Sequence, residues 1–119
     1  MMKPRHLLAA AALGLGIAAA PAQAATVTTG WEELRGNQDY CLETGAEASR
    51  ISGFRTTISN DRQTVFGWRG EDSIAIRCIG SRNVAVIFIY VQNRNDSGEL
   101  MQGVRNVYRR PAGGVGGKG

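Results

Sequence analysis

The chain has 119 residues, with 14 Lys and Arg, 10 Asp and Glu, two cysteines and a single histidine. That length holds one small domain, and without residues 1–24 the formal charge falls to near +2, with too few clustered positive charges for nucleic acid or an anionic membrane to be expected as the partner. Two cysteines and one histidine are also too few for a four-ligand structural zinc site.

Residues 1–24 read as an export leader. Lys3, Arg5 and His6 make a short basic start, "LLAAAALGLGIAAA" is an apolar run of small residues, and Ala22 and Ala24 supply the A-x-A pattern of a cleavage site. No later run reaches the ~20 apolar residues of a spanning helix, and no cysteine follows the cut to accept a lipid, so no membrane anchor is expected. Cleavage leaves 95 residues, keeps 12 of the basic residues against all 10 acidic ones, and removes the only histidine. The mature protein is expected in the periplasm of a Gram-negative bacterium or fully secreted.

The mature chain opens with "ATVTTGWEEL", whose weak alternation fits an edge strand. Asn37 then caps a predicted helix over "QDYCLETGAEASRIS", with Asp39 in its positive first turn and Gly53 at the left-handed position that ends it. One side of this helix carries only small residues, Cys41, Gly45, Ala48 and Ser52, so it is expected to lie close on a neighbouring surface. Glu43, Glu47 and Arg50 mark the solvated side.

Four strands follow: "FRTTIS", "QTVFGW", "SIAIRCI" and "VAVIFIYV". They are separated by Asn60-Asp61, Arg69-Gly70-Glu71-Asp72 and Gly80-Ser81-Arg82-Asn83. Short polar or glycine-bearing links of this kind predict an antiparallel meander. Asp96 with Glu99 resembles a capping box. Leu100, Val104 and Val107 repeat at helical spacing beside Tyr108, and Arg109, Arg110 and Pro111 close a second amphipathic helix. The predicted fold is α+β: a four- to five-stranded antiparallel meander sheet, one helix before the meander and one after, filling residues 25–110 as a single domain. "PAGGVGGKG" (111–119) buries no sizeable side chain and is expected to be a disordered tail.

An exported chain meets an oxidising compartment, where paired cysteines persist as disulfides. Cys41 and Cys78 admit one connectivity, and a redox role would want C-x-x-C spacing, which is absent. Ile74, Ile76 and Cys78 share a strand face, so Cys78 is expected to point with the isoleucines toward the helix that carries Cys41.

"VAVIFIYV" is apolar on both faces. The simplest assignment turns Val84, Val86, Phe88 and Tyr90 toward the helices, along with Phe66 and Trp68. It leaves Ala85, Ile87, Ile89 and Val91 on the far side with Val65, Ala75, Ile79, Arg55, Arg69 and Arg77. A solvated sheet face should be polar, so something covers it. The candidates are the N-terminal segment with Trp31 and Leu34, a helix, or another protein chain, whether a partner or a copy of itself. The binding residues expected on this basis are Arg55, Arg69, Arg77, Ile87 and Ile89.

Most chemistries are excluded. Without histidine the mature chain offers no Ser-His-Asp or Cys-His nucleophile and no histidine base. Its one lysine, Lys118, lies in the glycine-rich tail. No phosphate-cradling glycine loop precedes a helix, and no cofactor or metal is expected. The pairs Glu32/Glu33, Glu43/Glu47 and Glu71/Asp72 remain for acid–base work. The expected function is a non-enzymatic binding module of the bacterial envelope. The alternatives are a carboxylate-dependent hydrolase of envelope polymers or an inhibitor of a secreted enzyme.

Overall fold

The structure, a computed structural model, describes residues 24–92 and 95–111. The leader expected over residues 1–24 lies outside this range except for Ala24, and so does the tail expected over 111–119 except for Pro111. Strand β1 (Ala25–Glu33) leads into helix α1 (Gln38–Ile51). Strands β2 (Arg55–Ile58), β3 (Thr64–Arg69), β4 (Asp72–Ile79) and β5 (Val84–Gln92) follow, and helix α2 (Ser97–Arg109) is the last element among the described residues. All strand pairs are antiparallel, in the order β1-β5-β4-β3-β2. β2 to β5 form the expected meander. β1, first in the chain, closes the sheet by pairing with β5 along its whole length.

The helix ends follow local chemistry. The Asn37 side chain accepts a hydrogen bond from the Tyr40 backbone N–H at 2.8 Å, and Asp39 sits in the first turn of α1. After Ile51 the chain turns through Gly53 at φ +96°, a conformation open to glycine but costly for residues with a Cβ. The Gly53 N–H bonds the Arg50 carbonyl at 2.9 Å. α2 begins differently from its sequence signature. Asp96 stands at the N-cap but makes no capping hydrogen bond; its carboxylate lies 3.6 Å from the Arg69 guanidinium. The Asp96 carboxylate is thus directed to an ion pair across the fold and not to the helix N-terminus.

Both helices pack on one face of the sheet, α1 over β2, β3 and β4 and α2 over β1 and β5, and they touch each other. Ile74, Ile76, Ala85, Ile87, Ile89 and Val91 form the floor of the core, roofed by Leu42, Ala46, Met101 and Val104. The small side of α1 brings it close. A Cβ on Gly45 would stand 2.5 Å from the Tyr108 hydroxyl and 3.2 Å from Ile76 Cδ1. The Tyr108 hydroxyl has no room to yield, because it is buried and donates to the Cys41 carbonyl at 2.9 Å.

That close approach allows Cys41 of α1 and Cys78 of β4 to join as a disulfide with Cα atoms 5.9 Å apart, as the paired inward faces require. Beside it the Gln38 amide donates to the carbonyls of Cys78 (2.9 Å) and Arg62 (3.1 Å) and accepts from the Gly80 N–H (2.7 Å). A shallow polar hollow of about 520 Å³ over this region is thus floored by an amide already occupied on both ends.

Candidate functional site

The face opposite the helices carries the exposed apolar surface, and its residues follow from strand register. Directly paired residues share a face, so the open side reads as rows across the sheet. The first is Val27, Tyr90, Ser73, Trp68 and Arg55. The second is Thr29, Phe88, Ala75, Phe66 and Thr57. Trp31, Val86, Arg77 and Thr64 make the third, and Glu33, Val84 and Ile79 the fourth. Val27, Trp31, Phe66, Trp68 and Phe88 are all exposed, Val27 and Trp31 by more than 60%.

This assignment inverts β5 relative to the expectation from sequence. Ile87 and Ile89 are fully buried beneath the helices, with Ala85, Val91 and Val65, so neither isoleucine is available for binding. Phe66, Trp68 and Phe88 face solvent instead. The reason lies in pairing. The turn at 80–83 closes on an Ile79–Val84 pair, so Val84 takes the face of Ile79, opposite Cys78, and the even-numbered residues of β5 follow. An octapeptide apolar on both sides carries no local signal to decide this. Counting outward from Cys78 through the turn would have supplied one.

Among the expected arginines the structure brings two to this face. Arg55 ends the row that contains Trp68. Arg77 stands in the third row, its guanidinium donating to Gln63 Oε1 at 2.5 Å. Arg69 is on the helix side. It stacks 4.8 Å over the Phe54 ring, pairs with Asp72 at 2.9 Å and donates to the Ser52 carbonyl at 3.1 Å, so it clamps the end of α1 to the β3–β4 turn. The N-terminal segment does not cover the open face either. β1 lies beside β5 in the sheet, with Trp31 on the open side and Leu34 buried.

The open face is grooved. β4 contributes only Ser73 and Ala75 where β3 presents Trp68 and Phe66 and β5 presents Tyr90 and Phe88, and a trough of about 260 Å³ results. Phe66 and Trp68, two residues apart on β3, stack along one wall with centroids 6.3 Å apart. Tyr90 donates its hydroxyl to the Gln92 side chain. No carboxylate lines this trough.

Among the carboxylates, Asp72 and Asp96 come together against one nitrogen of Arg69, at 2.9 and 3.6 Å. Glu43 and Glu71 point into solvent, and Glu47 pairs with Arg110 at 2.8 Å. Asp72 is buried, paired with Arg69 and accepting the Gln92 N–H at 2.9 Å. Glu32 is buried on the helix side of β1, gripped by Arg105 (2.6 Å) and Arg109 (2.8 Å) of α2. Burial alone would raise its pKa from the ordinary 4.5, but hydrogen bonds from Arg109 and Arg105 and their charges hold it lower. Among the described residues no group of three His, Cys, Asp or Glu is placed to hold a metal ion.

A carboxyl whose pKa is depressed in the fold adds stability above its unfolded value and loses it as pH falls through the folded one. Glu32→Gln is therefore expected to cost about 1 kcal/mol at pH 7, because Arg105 and Arg109 are partly exposed and solvent screens the charge they share with Glu32. In urea melts run from pH 7 to pH 2.5, the gap between the two proteins should narrow below about pH 4.5 and close at the acid end. A gap constant across that range would show that the two arginines do not depend on the Glu32 charge.

No protein-family profile and no curated protein sequence matches the chain. Function must therefore be argued from the surface itself.

Proposed function

We propose that this protein is an exported, non-enzymatic interaction module that works through the open face of its sheet. One observation carries the reading. Of the six large apolar side chains exposed among the described residues, five stand on that face, and only Ile51 lies elsewhere. An antiparallel sheet open to water ordinarily turns polar residues outward. A contiguous apolar patch bordered by Arg55 and Arg77 has the composition of an interface core, in which aromatic residues and arginine are enriched.

Other features are consistent with this role. The leader over residues 1–24 directs export to the periplasm or beyond, where a disulfide between Cys41 and Cys78 persists. No described helix is long and apolar enough to cross a membrane. The buried carboxylates Glu32 and Asp72 are each engaged by arginine, which favours a structural role for them over acid–base work.

The test is site-specific photo-crosslinking in the producing cells. A benzoylphenylalanine in place of Phe88 should give discrete adducts, and one in place of Glu43, on the solvated side of α1, should not. Equal labelling from both positions, or none from Phe88, would rule out the open face as the working surface.

A further inference from the structure

The open face has a relief that complements itself. β1 is a ridge at the sheet edge: its large apolar side chains Val27 and Trp31 are 64% and 62% exposed, and Val27 also borders the trough from across β5. β4 is the floor of the trough between the aromatic walls of β3 and β5. Ridge and trough are separated by β5 alone, so their axes are two strand spacings, about 10 Å, apart. A twofold axis parallel to the strands and lying above β5 would carry β1 of one molecule over β4 of another. By the same operation it would carry the second β1 over the first β4, a closed and isologous contact.

Such an axis preserves height along the strands, so the rows predict who meets whom. Val27 of one molecule enters the trough above Ser73 of the other, between Trp68 and Tyr90. Trp31 lies above Arg77, an arrangement that suits a guanidinium over an indole face. Glu33, one row further, comes within side-chain reach of the same Arg77. The face of a single molecule carries Arg55 and Arg77 against Glu33, and the pairing matches Glu33 with Arg77 twice. From strand rise and spacing, overlap of three strands on each side (β1, β5 and β4) removes on the order of 800 Å² of surface in total, the size of a weak, transient interface.

We infer that the open face is closed by a second copy of this chain, the β1 ridge of each molecule seated in the β4 trough of the other about a twofold axis running along the strands above β5. The inference rests on the reading of that face as the working surface and names the partner.

The experiment is sedimentation equilibrium on the exported protein, disulfide intact, from about 1 to 200 µM. The native protein should move from monomer to dimer. Glu33→Arg and Arg77→Glu each place like charges together at both contacts, and each alone should weaken the dimer at least tenfold. Mixed in equal amounts the two variants should dimerise again. In the mixed pair the introduced arginine faces the introduced glutamate at one contact, and native Arg77 faces native Glu33 at the other. Both sites are exposed, so the rescue reads contact between molecules rather than folding. A monomer at 200 µM would overturn the inference. So would a dimer indifferent to both substitutions, which would place the contact at the free β1 edge or elsewhere. The crosslinking experiment separates the two claims: Phe88 adducts of twice the protein's own mass support self-pairing, whereas adducts of another mass retain the working surface and refute the dimer.

Discussion

Ile87→Asp is expected to abolish folding, while Phe88→Asp, one residue along the same strand, should leave the fold intact. Ile87 is fully buried, directly paired with Ile76 on one side and Gly30 on the other beneath α2. An aspartate there must either bury a charge with no partner or take up a proton, and it also forfeits the packing of a large aliphatic group. Together these cost on the order of 5 kcal/mol, comparable with the ~5–15 kcal/mol that holds a whole domain together. Phe88 is 44% exposed on the other side of the strand. Aspartate there loses strand propensity and wall contacts, about 1 kcal/mol. Far-UV circular dichroism and urea unfolding decide the matter. If Phe88→Asp unfolds the protein and Ile87→Asp does not, the two faces of β5 have been assigned the wrong way round.

Loss of the disulfide is the second large effect. The bond closes a loop of 37 residues, and in the chain-entropy account opening such a loop in the denatured state is worth about 4 kcal/mol at 25 °C. A Cys41→Ala/Cys78→Ala double variant should lose about that much in urea unfolding, and native protein under reductant should show a similar loss. The bond also sits where the fold is held most closely: Gly45 lies against Tyr108, and the Tyr108 hydroxyl donates to the Cys41 carbonyl. Its removal should therefore loosen the contact between α1 and α2 as well, visible as faster hydrogen exchange in the first turns of α1. A loss below about 1 kcal/mol, far short of the loop-closure value, would mean that helix packing alone fixes α1 on β4.

Elements governed by their own neighbours were legible in the sequence. Asn37 and Gly53 bound α1 because capping and left-handed turns depend on single residues. The polar turns at Asn60-Asp61, Gly70-Glu71 and 80–83 delimit the meander for the same reason. Asp96 shows where such reasoning stops. Its local pattern predicted a capping box, and a distant arginine took the carboxylate. Arg69 is the same lesson from the other partner: by composition it belonged with the surface arginines, and tertiary contacts with Phe54, Asp72 and Ser52 drew it to the helix side.

The candidate site was half legible. That one side of the sheet is too apolar for water follows from "VAVIFIYV", and strand register sets Arg55 and Arg77 on the open face. Trp31 and Val27 were not anticipated as part of the surface, since nothing local says that the first strand pairs with the last. Ile87 and Ile89 were assigned to the wrong face, because alternation defines two sides of a strand without saying which is inside.

The sequence by itself determined the secondary structure, the pairing of the two cysteines and the apolar excess of the sheet, each being a matter of residue type, spacing or count. Tertiary structure alone decided which apolar side is bare, that β1 lies beside β5, and that a ridge and a trough stand two strands apart. The physical reason is that a period of two has no preferred sign. Sign is set by register, and register is set by backbone pairing and helix docking between residues as far apart as Ala25 and Gln92.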